Sequence, residues 1–356
     1  MPIHLLTDEV ASKIAAGEVI ERPASVVKEL IENAIDAGAR SIHVQVRGGG
    51  RRLMQVADDG CGIPAAEVEL AFARHATSKL EQIEDLSHIT TLGFRGEALA
   101  SIAAVSHVTL LTRAAGQELG TRLRLEGGRV VRREPSGHPQ GTTIAVENLF
   151  YNVPARLKFL HRDATERKHI DALVTRYAMA YPHLRLVLEN DDRLTFRSPG
   201  SGSLHDVLIE VYGLENAQAM IAVGAEVPGD DGTAAQGSRR GAGIDVSGYV
   251  SLPGMHRATR EYITLFVNGR WVQDRGLTFA VEQAYHTLLP AKRHPLAVLR
   301  ISLPPEGVDV NVHPTKSEVK FQHRDAVFRA VQRTVREALI AHAPIPAVVR
   351  PAGPGE

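Results

Sequence analysis

The chain has 356 residues, more than the about 100–200 of one ordinary domain, so two domains are expected. Lys plus Arg equals Asp plus Glu at 41 each, which argues against a purely electrostatic nucleic-acid binder but leaves room for a local basic groove. At 44% hydrophobic and 23% charged residues, with no apolar run of membrane-spanning length, no apolar signal core in residues 1–10 and one cysteine, Cys61, the composition fits a cytoplasmic protein without disulfides, membrane spans or zinc-spaced Cys/His sets.

Residues 22–38 read as a helix, with Pro23 in the first turn and Gly38 at the end. At 100° per residue Val26, Val27, Leu30, Ile31 and Ala34 share one arc. Lys28, Glu29, Glu32, Asn33 and Asp36 share the opposite one. Ile42, Val44 and Val46 then alternate as a half-buried strand, Gly48–Gly50 turns the chain, and Met54 and Val56 alternate in a second strand. Asp58 continues the apolar face of that strand, where a carboxylate needs a donor. Strands with helices on one side suggest a two-layer α/β sandwich. From about His205 a second α/β domain is expected, with strands over 262–268 and 296–303, a helix over 277–288 between them and a last helix over 324–341. Residues 224–243 read as a Gly/Asp/Ser-rich surface loop, and the Pro/Ala-rich stretch from 342 to 356 reads as the start of a linker, so the chain looks like a fragment of something longer.

Four segments carry candidate chemistry. Glu29 and Asn33 lie four apart on one helix face, which taken alone is also what a solvated polar face looks like. Asp58-Asp59-Gly60-Cys61-Gly62 places a carboxylate beside two glycines that let a ligand approach the backbone; alone it is also a simple turn after a strand. Gly93-Phe94-Arg95-Gly96-Glu97-Ala98-Leu99 precedes an apolar helical run over 98–105, an arrangement that offers backbone N–H groups to an anion, and Thr77, Ser78 and Lys79 lie just upstream. Gly141-Thr142-Thr143 opens a strand.

In order and spacing these segments resemble the GHKL (Bergerat-fold) ATPases. Together with PARLKFL at 154–160, VNGRWVQDR at 267–275 and NVHPTKSEVKF at 311–321, they resemble the DNA mismatch repair branch of that family. The resemblance implies an α+β fold: a GHKL sandwich over 1–204, then a smaller α/β domain of the ribosomal-protein-like βαβ type over 205–341. It implies ATP and Mg2+ as cofactors. Glu29 is implied as the general base for water and Asn33 as a magnesium ligand. Asp58 is implied as the acceptor from the adenine amine, supported by Thr143, with Gly62 letting the base pack on the backbone. Thr77, Ser78, Lys79, Gly93, Arg95, Gly96, Glu97, Ala98 and Leu99 are implied as a phosphate lid, and Lys316 as a cation reaching the γ-phosphate from the second domain. Asp59 departs from the family's frequent Asn and is expected to face solvent.

The implied partners are a second copy of the chain, paired by ATP, then DNA held without sequence preference, a mismatch-recognition protein and a downstream nuclease or helicase. Arg156, Lys158, Arg162, Arg167, Lys168, Arg270 and Arg275 are the candidate DNA contacts. No endonuclease motif of the kind some relatives carry occurs in these residues. A module gated by ATP, with incidental hydrolysis, and a type II topoisomerase subunit are the competing readings; nothing in the sequence suggests the cleaving tyrosine region that the second needs.

Overall fold

The computed structural model describes residues 7, 13, 16–17, 19–79, 91–93, 96–224, 243–309 and 319–342. Helix α1 spans Pro23–Asp36, with Arg22 extended before it (φ −156°) and Gly38 reversing the chain after it at φ +72°. Its apolar arc is buried: Val26, Val27 and Ile31 are inaccessible and Leu30 nearly so. Each such side chain stabilises by roughly 1.5–3 kcal/mol on burial. The polar arc is not simply a solvated face. Glu32 is buried, because a long helix over Asp163–Ala180 packs on that side and its Tyr177 hydroxyl donates to Glu32 Oε1 at 2.7 Å.

Strands β1 (Ser41–Arg47), β2 (Leu53–Asp58), β3 (His107–Arg113), β4 (Gly120–Glu126), β5 (Arg129–Ser136), β6 (Gly141–Glu147), β7 (Arg185–Asn190) and β8 (Arg193–Arg197) form one sheet in the order β5-β4-β3-β6-β2-β1-β7-β8. All neighbours are antiparallel except β1 and β7. The parallel pair needs a crossover, and α3 (Pro154–Phe159) and α4 (Asp163–Ala180) lie between β6 and β7 in the chain. Helix α2 (Ala98–Ala104) precedes β3. The buried faces of β1 and β2, with Ile42, Val44, Val46, Met54 and Val56, share one apolar core with α1 and with Ile170, Val174 and Ala178 of α4. This is the expected α+β sandwich.

Helices α5 (Leu204–Tyr212) and α6 (Leu214–Gln218) lead into β9 (Met220–Val223). A second sheet has the order β13-β12-β15-β10-β9, where β10 is Asp245–Ser251, β12 Ile263–Val267, β13 Arg270–Val272 and β15 Ala297–Ser302. Two-residue ribbons pair β11 (His256–Arg257) with β14 (His294–Pro295) and β16 (Val308–Asp309) with β17 (Lys320–Phe321). β12 runs parallel to β15 with helix α7 (Arg275–Ala284) between them, a βαβ unit as expected. Helix α8 covers Arg324–Ala341, the residues its periodicity indicates. The expected helix over 277–288 is displaced toward its N-terminus: Asp274 accepts from Leu277 N at 2.8 Å and so starts α7 at Arg275, and the chain leaves the helix before Thr287, whose φ is +71°.

This second sheet is buried on both faces. Leu265, Val267 and Leu299 pack with α7 and α8, while Phe266 and Val298 join the core of the first sheet. Strands covered on both faces read as near-continuous apolar runs, and β12, Ile-Thr-Leu-Phe-Val, is one, interrupted only by Thr264. No helix among the described residues is long and apolar enough to cross a membrane. The surface-loop reading at 224–243 falls mostly on residues 225–242, outside the described residues, as does the linker reading from 343 onward.

Candidate nucleotide site

Three carboxylates or amides of the α1 polar arc line one side of the candidate site: Glu29, Asn33 and Asp36. Seven residue steps of helix separate the first from the last, roughly 10 Å. Glu29 sits at the Lys28 end of this row. The Lys28 ammonium lies 3.0 Å from Glu29 Oε1 and 3.1 Å from Glu32 Oε1. Burial alone pushes an ammonium's pKa down, but the two carboxylates outweigh it and Lys28 stays above its ordinary value. Tyr177 is pushed well up, by burial first and by the neighbouring Glu32 charge second, so its hydroxyl remains a donor.

At the other end Asp36 is a hub. One oxygen accepts from Leu92 N at 2.9 Å. The other accepts from Gly93 N at 3.0 Å and from Lys79 Nζ at 2.6 Å. Lys79 also donates to Asn33 Oδ1 at 3.0 Å. Gly93 lies against this cluster, where an added Cβ would stand 3.0 Å from Lys79 Nζ and 3.6 Å from Asn33 Oδ1. The structure therefore brings Asn33, Lys79 and Gly93 together around a carboxylate that sequence reasoning leaves among the polar residues of a wheel. The signal is present in the sequence, since Asp36 lies three residues beyond Asn33 on the same arc.

The Asp58 segment closes the C-terminal end of α1. Cys61 N donates to Ala37 O at 3.0 Å, and an added Cβ on Gly60 would stand 2.8 Å from that same carbonyl. At Gly62, where φ is +72°, an added Cβ would stand 2.1 Å from Arg113 O, so only glycine fits between this loop and the end of β3. Asp58 Oδ1 accepts from Gly60 N at 2.9 Å. Burial raises the Asp58 pKa, and the amide and Thr142 interactions that lower it offset only part of that. Asp59 is exposed, as expected, and its Oδ1 accepts the amides of Arg40 and Ser41 at 2.7 and 2.9 Å, fastening the start of β1.

The strand register sets Thr142 and Thr143 on opposite faces. Register pairs Asp58 with Thr142 and Ala57 with Thr143. Directly opposed residues project to the same face of an antiparallel pair, so Thr142 shares the face of Asp58, Val56 and Met54. Thr143 points to the other face, where its hydroxyl meets His138 Nε2 at 3.0 Å. Thr142 is buried and its hydroxyl is 3.0 Å from that of Thr112, which in turn donates to Gly141 O and accepts from Ile63 N. Thr112 has no sequence signal, because the contact is non-local.

Among the candidate lid residues, Thr77 and Ser78 are exposed or partly so, with Thr77 Oγ1 accepting from Lys79 N at 3.1 Å. Gly96, at φ +63°, packs on the Ala76 backbone, and Glu97 Oε1 lies 3.5 Å from His75 Nδ1. Ala98 and Leu99 open α2. Arg95 and Lys316 fall outside the described residues.

Two candidate DNA contacts are otherwise engaged. Arg156 donates to Gly17 O at 2.7 Å and Ile20 O at 3.1 Å, pinning the segment before α1. Arg270 is only 7% exposed and bonds main-chain carbonyls at Thr91 and Leu92. Lys158, Arg162, Arg167, Lys168 and Arg275 are exposed, although Arg167 lies 3.7 Å from Asp191.

Residues 20–136 match the family described as histidine kinase-, DNA gyrase B-, and HSP90-like ATPase, and residues 208–340 match DNA mismatch repair protein, C-terminal domain. The chain is 46% identical over 344 residues to the DNA mismatch repair protein MutL of Desulforudis audaxviator, covering 97% of this chain and 58% of that protein. It is 44% identical over 337 residues to the MutL of Desulforamulus reducens, covering 95% and 50%. The chain thus spans about half the length of the curated relatives it matches. Among solved structures, the Aquifex aeolicus MutL ATPase domain complexed with ADP superposes with a TM-score of 0.61 at 28% identity, over 81% of this chain and 94% of that one. An N-terminal domain of a DNA repair protein shares the fold with a TM-score of 0.76 at 23% identity, over 93% and 98%. The motifs, the sandwich and these relatives agree: the chain belongs to the MutL family of DNA mismatch repair proteins, in its GHKL ATPase region.

Proposed function

We propose that this chain binds ATP along α1 and hydrolyses it, and that the cycle drives pairing of two copies into a clamp on DNA. The supporting observation is the row Glu29, Asn33, Asp36 on one helix arc, facing Lys79 and Gly93, with Asp58 where the helix ends. Adenine lies at the Asp58 end, with Thr142 rather than Thr143 beside the carboxylate. The phosphates lie toward Asn33, Lys79, Gly93 and the Gly96–Leu99 segment, with Arg95 completing the lid. Glu29 orients and deprotonates the attacking water, held in place by Lys28.

The oxygen set fits magnesium. Asn33 Oδ1 and Asp36 Oδ2 already converge on a cation, the Lys79 ammonium. Magnesium takes most of its ligands from phosphates and water, so one or two oxygens from the chain suffice. Asn33 is the ligand we assign, and the ion supplies charge neutralisation on the phosphates when bound. Lys316 approaches the γ-phosphate, so that ATP and ADP favour different placements of the second sheet.

Residues 1–204 act as the ATPase domain, 205–341 as a transducer and 342–356 as the start of a linker. Exposed Lys158, Arg162 and Arg275 meet DNA phosphates. The protein works in the bacterial cytoplasm, linking a mismatch-recognition protein to a repair nuclease or helicase. The Aquifex relative complexed with ADP supports the nucleotide assignment. Calorimetric titration tests it: ADP binds, GDP binds at least about tenfold more weakly, and Asp58→Ala removes the preference, since a lost hydrogen bond to a charged group is worth about a factor of ten or more. Equal binding of ADP and GDP by the wild type contradicts the assignment.

A further inference from the structure

The hairpin between β12 and β13 reaches from the second sheet to the segment at Thr91 and Leu92, next to Gly93 of the candidate nucleotide site. Its tip, Asn268-Gly269, has positive φ at both residues, 47° and 77°, as a two-residue hairpin turn requires. Gly269 presses on the end of α4, where an added Cβ would stand 2.6 Å from the Tyr181 hydroxyl. On the other side of Arg270, the Trp271 ring carries the Arg176 guanidinium 4.0 Å from its centroid. Flanked by these two contacts, Arg270 donates Nη1 to Leu92 O at 3.1 Å and Nη2 to Thr91 O. This buried guanidinium makes no ion pair among the described residues. A planar fork of donors is suited to spanning two adjacent carbonyls.

The same short segment is held from its opposite side. Its amides, Leu92 N and Gly93 N, donate to Asp36, which also holds Lys79 beside Asn33. Thus residues 91–93 are gripped by their carbonyls from the second sheet and by their amides from α1. A shift of that sheet relative to α1 breaks one grip or the other. Coupling of this kind is reciprocal: whatever stabilises the phosphate end also fixes the sheet.

We infer that Arg270 is a positioning residue that fixes the Thr91–Gly93 segment, and with it the phosphate end of the nucleotide site, to the second sheet; this rests on the ATPase reading above. Arg270 touches no substrate in this role. Its loss weakens binding of phosphates and spares the adenosine end, which Asp58, Gly60 and Ala37 build without it.

The test uses the chain with Arg270→Met and Arg270→Lys, titrated separately with ADP and with adenosine. ADP affinity falls about tenfold in Arg270→Met, the scale of losing hydrogen bonds from a charged donor. Adenosine affinity stays within about twofold, and Arg270→Lys, which keeps the charge but not the fork, lies between. KM for ATP rises more than kcat falls, and the ratio of DNA-stimulated to basal turnover is kept. If Arg270→Met fails to fold by circular dichroism, Arg270→Lys carries the test, with ADP weakened at least about threefold and adenosine spared. Equal losses for ADP and adenosine, or unchanged ADP binding, overturn the inference. Loss of DNA stimulation alone returns Arg270 to a DNA contact. A wild type that binds neither compound defeats the ATPase reading itself.

Discussion

Replacing Lys28 by Met removes the charge that two carboxylates share. Its ammonium is 3.0 Å from Glu29 and 3.1 Å from Glu32, and its side chain is 22% exposed. Breaking a fully buried ion pair by deleting one partner costs about 3–5 kcal/mol. Partial exposure places this case below that range, at about 2–3 kcal/mol, or roughly 3–4 °C in Tm for a chain of this size. The pH dependence follows from the raised Lys28 pKa. A cation whose folded pKa lies above its unfolded value contributes fully below the unfolded value and loses that contribution as pH rises through the folded one. The wild type's advantage over Lys28→Met is therefore flat from pH 7 to 9 and shrinks in the range above about pH 10. Thermal unfolding of both proteins from pH 7 to 11 measures it. A variant within 1 °C or so of wild type at pH 7, or a gap that widens above pH 10, refutes the reasoning. The variant also removes the ammonium between two adjacent carboxylates, so the acid limb of its kcat profile moves to higher pH.

Two further substitutions separate neighbouring residues. Thr142→Val, which removes a hydroxyl from the Asp58 face, weakens ADP binding by about three- to tenfold, whereas Thr143→Val, on the far face, leaves it within twofold or so; isothermal titration reads both, and the reverse order contradicts the register argument. Arg275→Glu, at an exposed site, lowers DNA-stimulated turnover and flattens the salt dependence of DNA binding while basal turnover stays at wild-type level; filter binding across a salt series checks it, and an unchanged slope removes Arg275 from the DNA surface.

The sequence makes α1 and α8 legible because each carries a strong 3.6-residue period, and β1 and β2 because their apolar residues alternate. It also shows Asp58 and Asn33, since both stand next to a pattern that makes a polar residue conspicuous. What it leaves hidden is non-local. Tyr177 meets Glu32 across 145 positions, and Thr112 meets Thr142 across 30. Arg270 reads as a groove cation because a lone arginine in a Gly-containing turn carries no sign of burial; only the folded chain shows that Thr91 and Leu92 occupy its donors. The Arg156 partners are hidden for the same reason, being carbonyls, which leave no sequence trace. The sequence also does not show that Thr142, and not Thr143, shares the Asp58 face, because in a strand a one-residue step exchanges faces.

The measurement closest to the central claim is ATP turnover by the wild type and by Glu29→Ala, each over a series of protein concentrations, with ATP binding measured alongside. If two copies must pair to hydrolyse ATP with Glu29 as base, specific activity rises with wild-type concentration, and the Glu29→Ala protein binds ATP while its turnover falls to background. Turnover that is flat with concentration and unaffected by the substitution contradicts that claim.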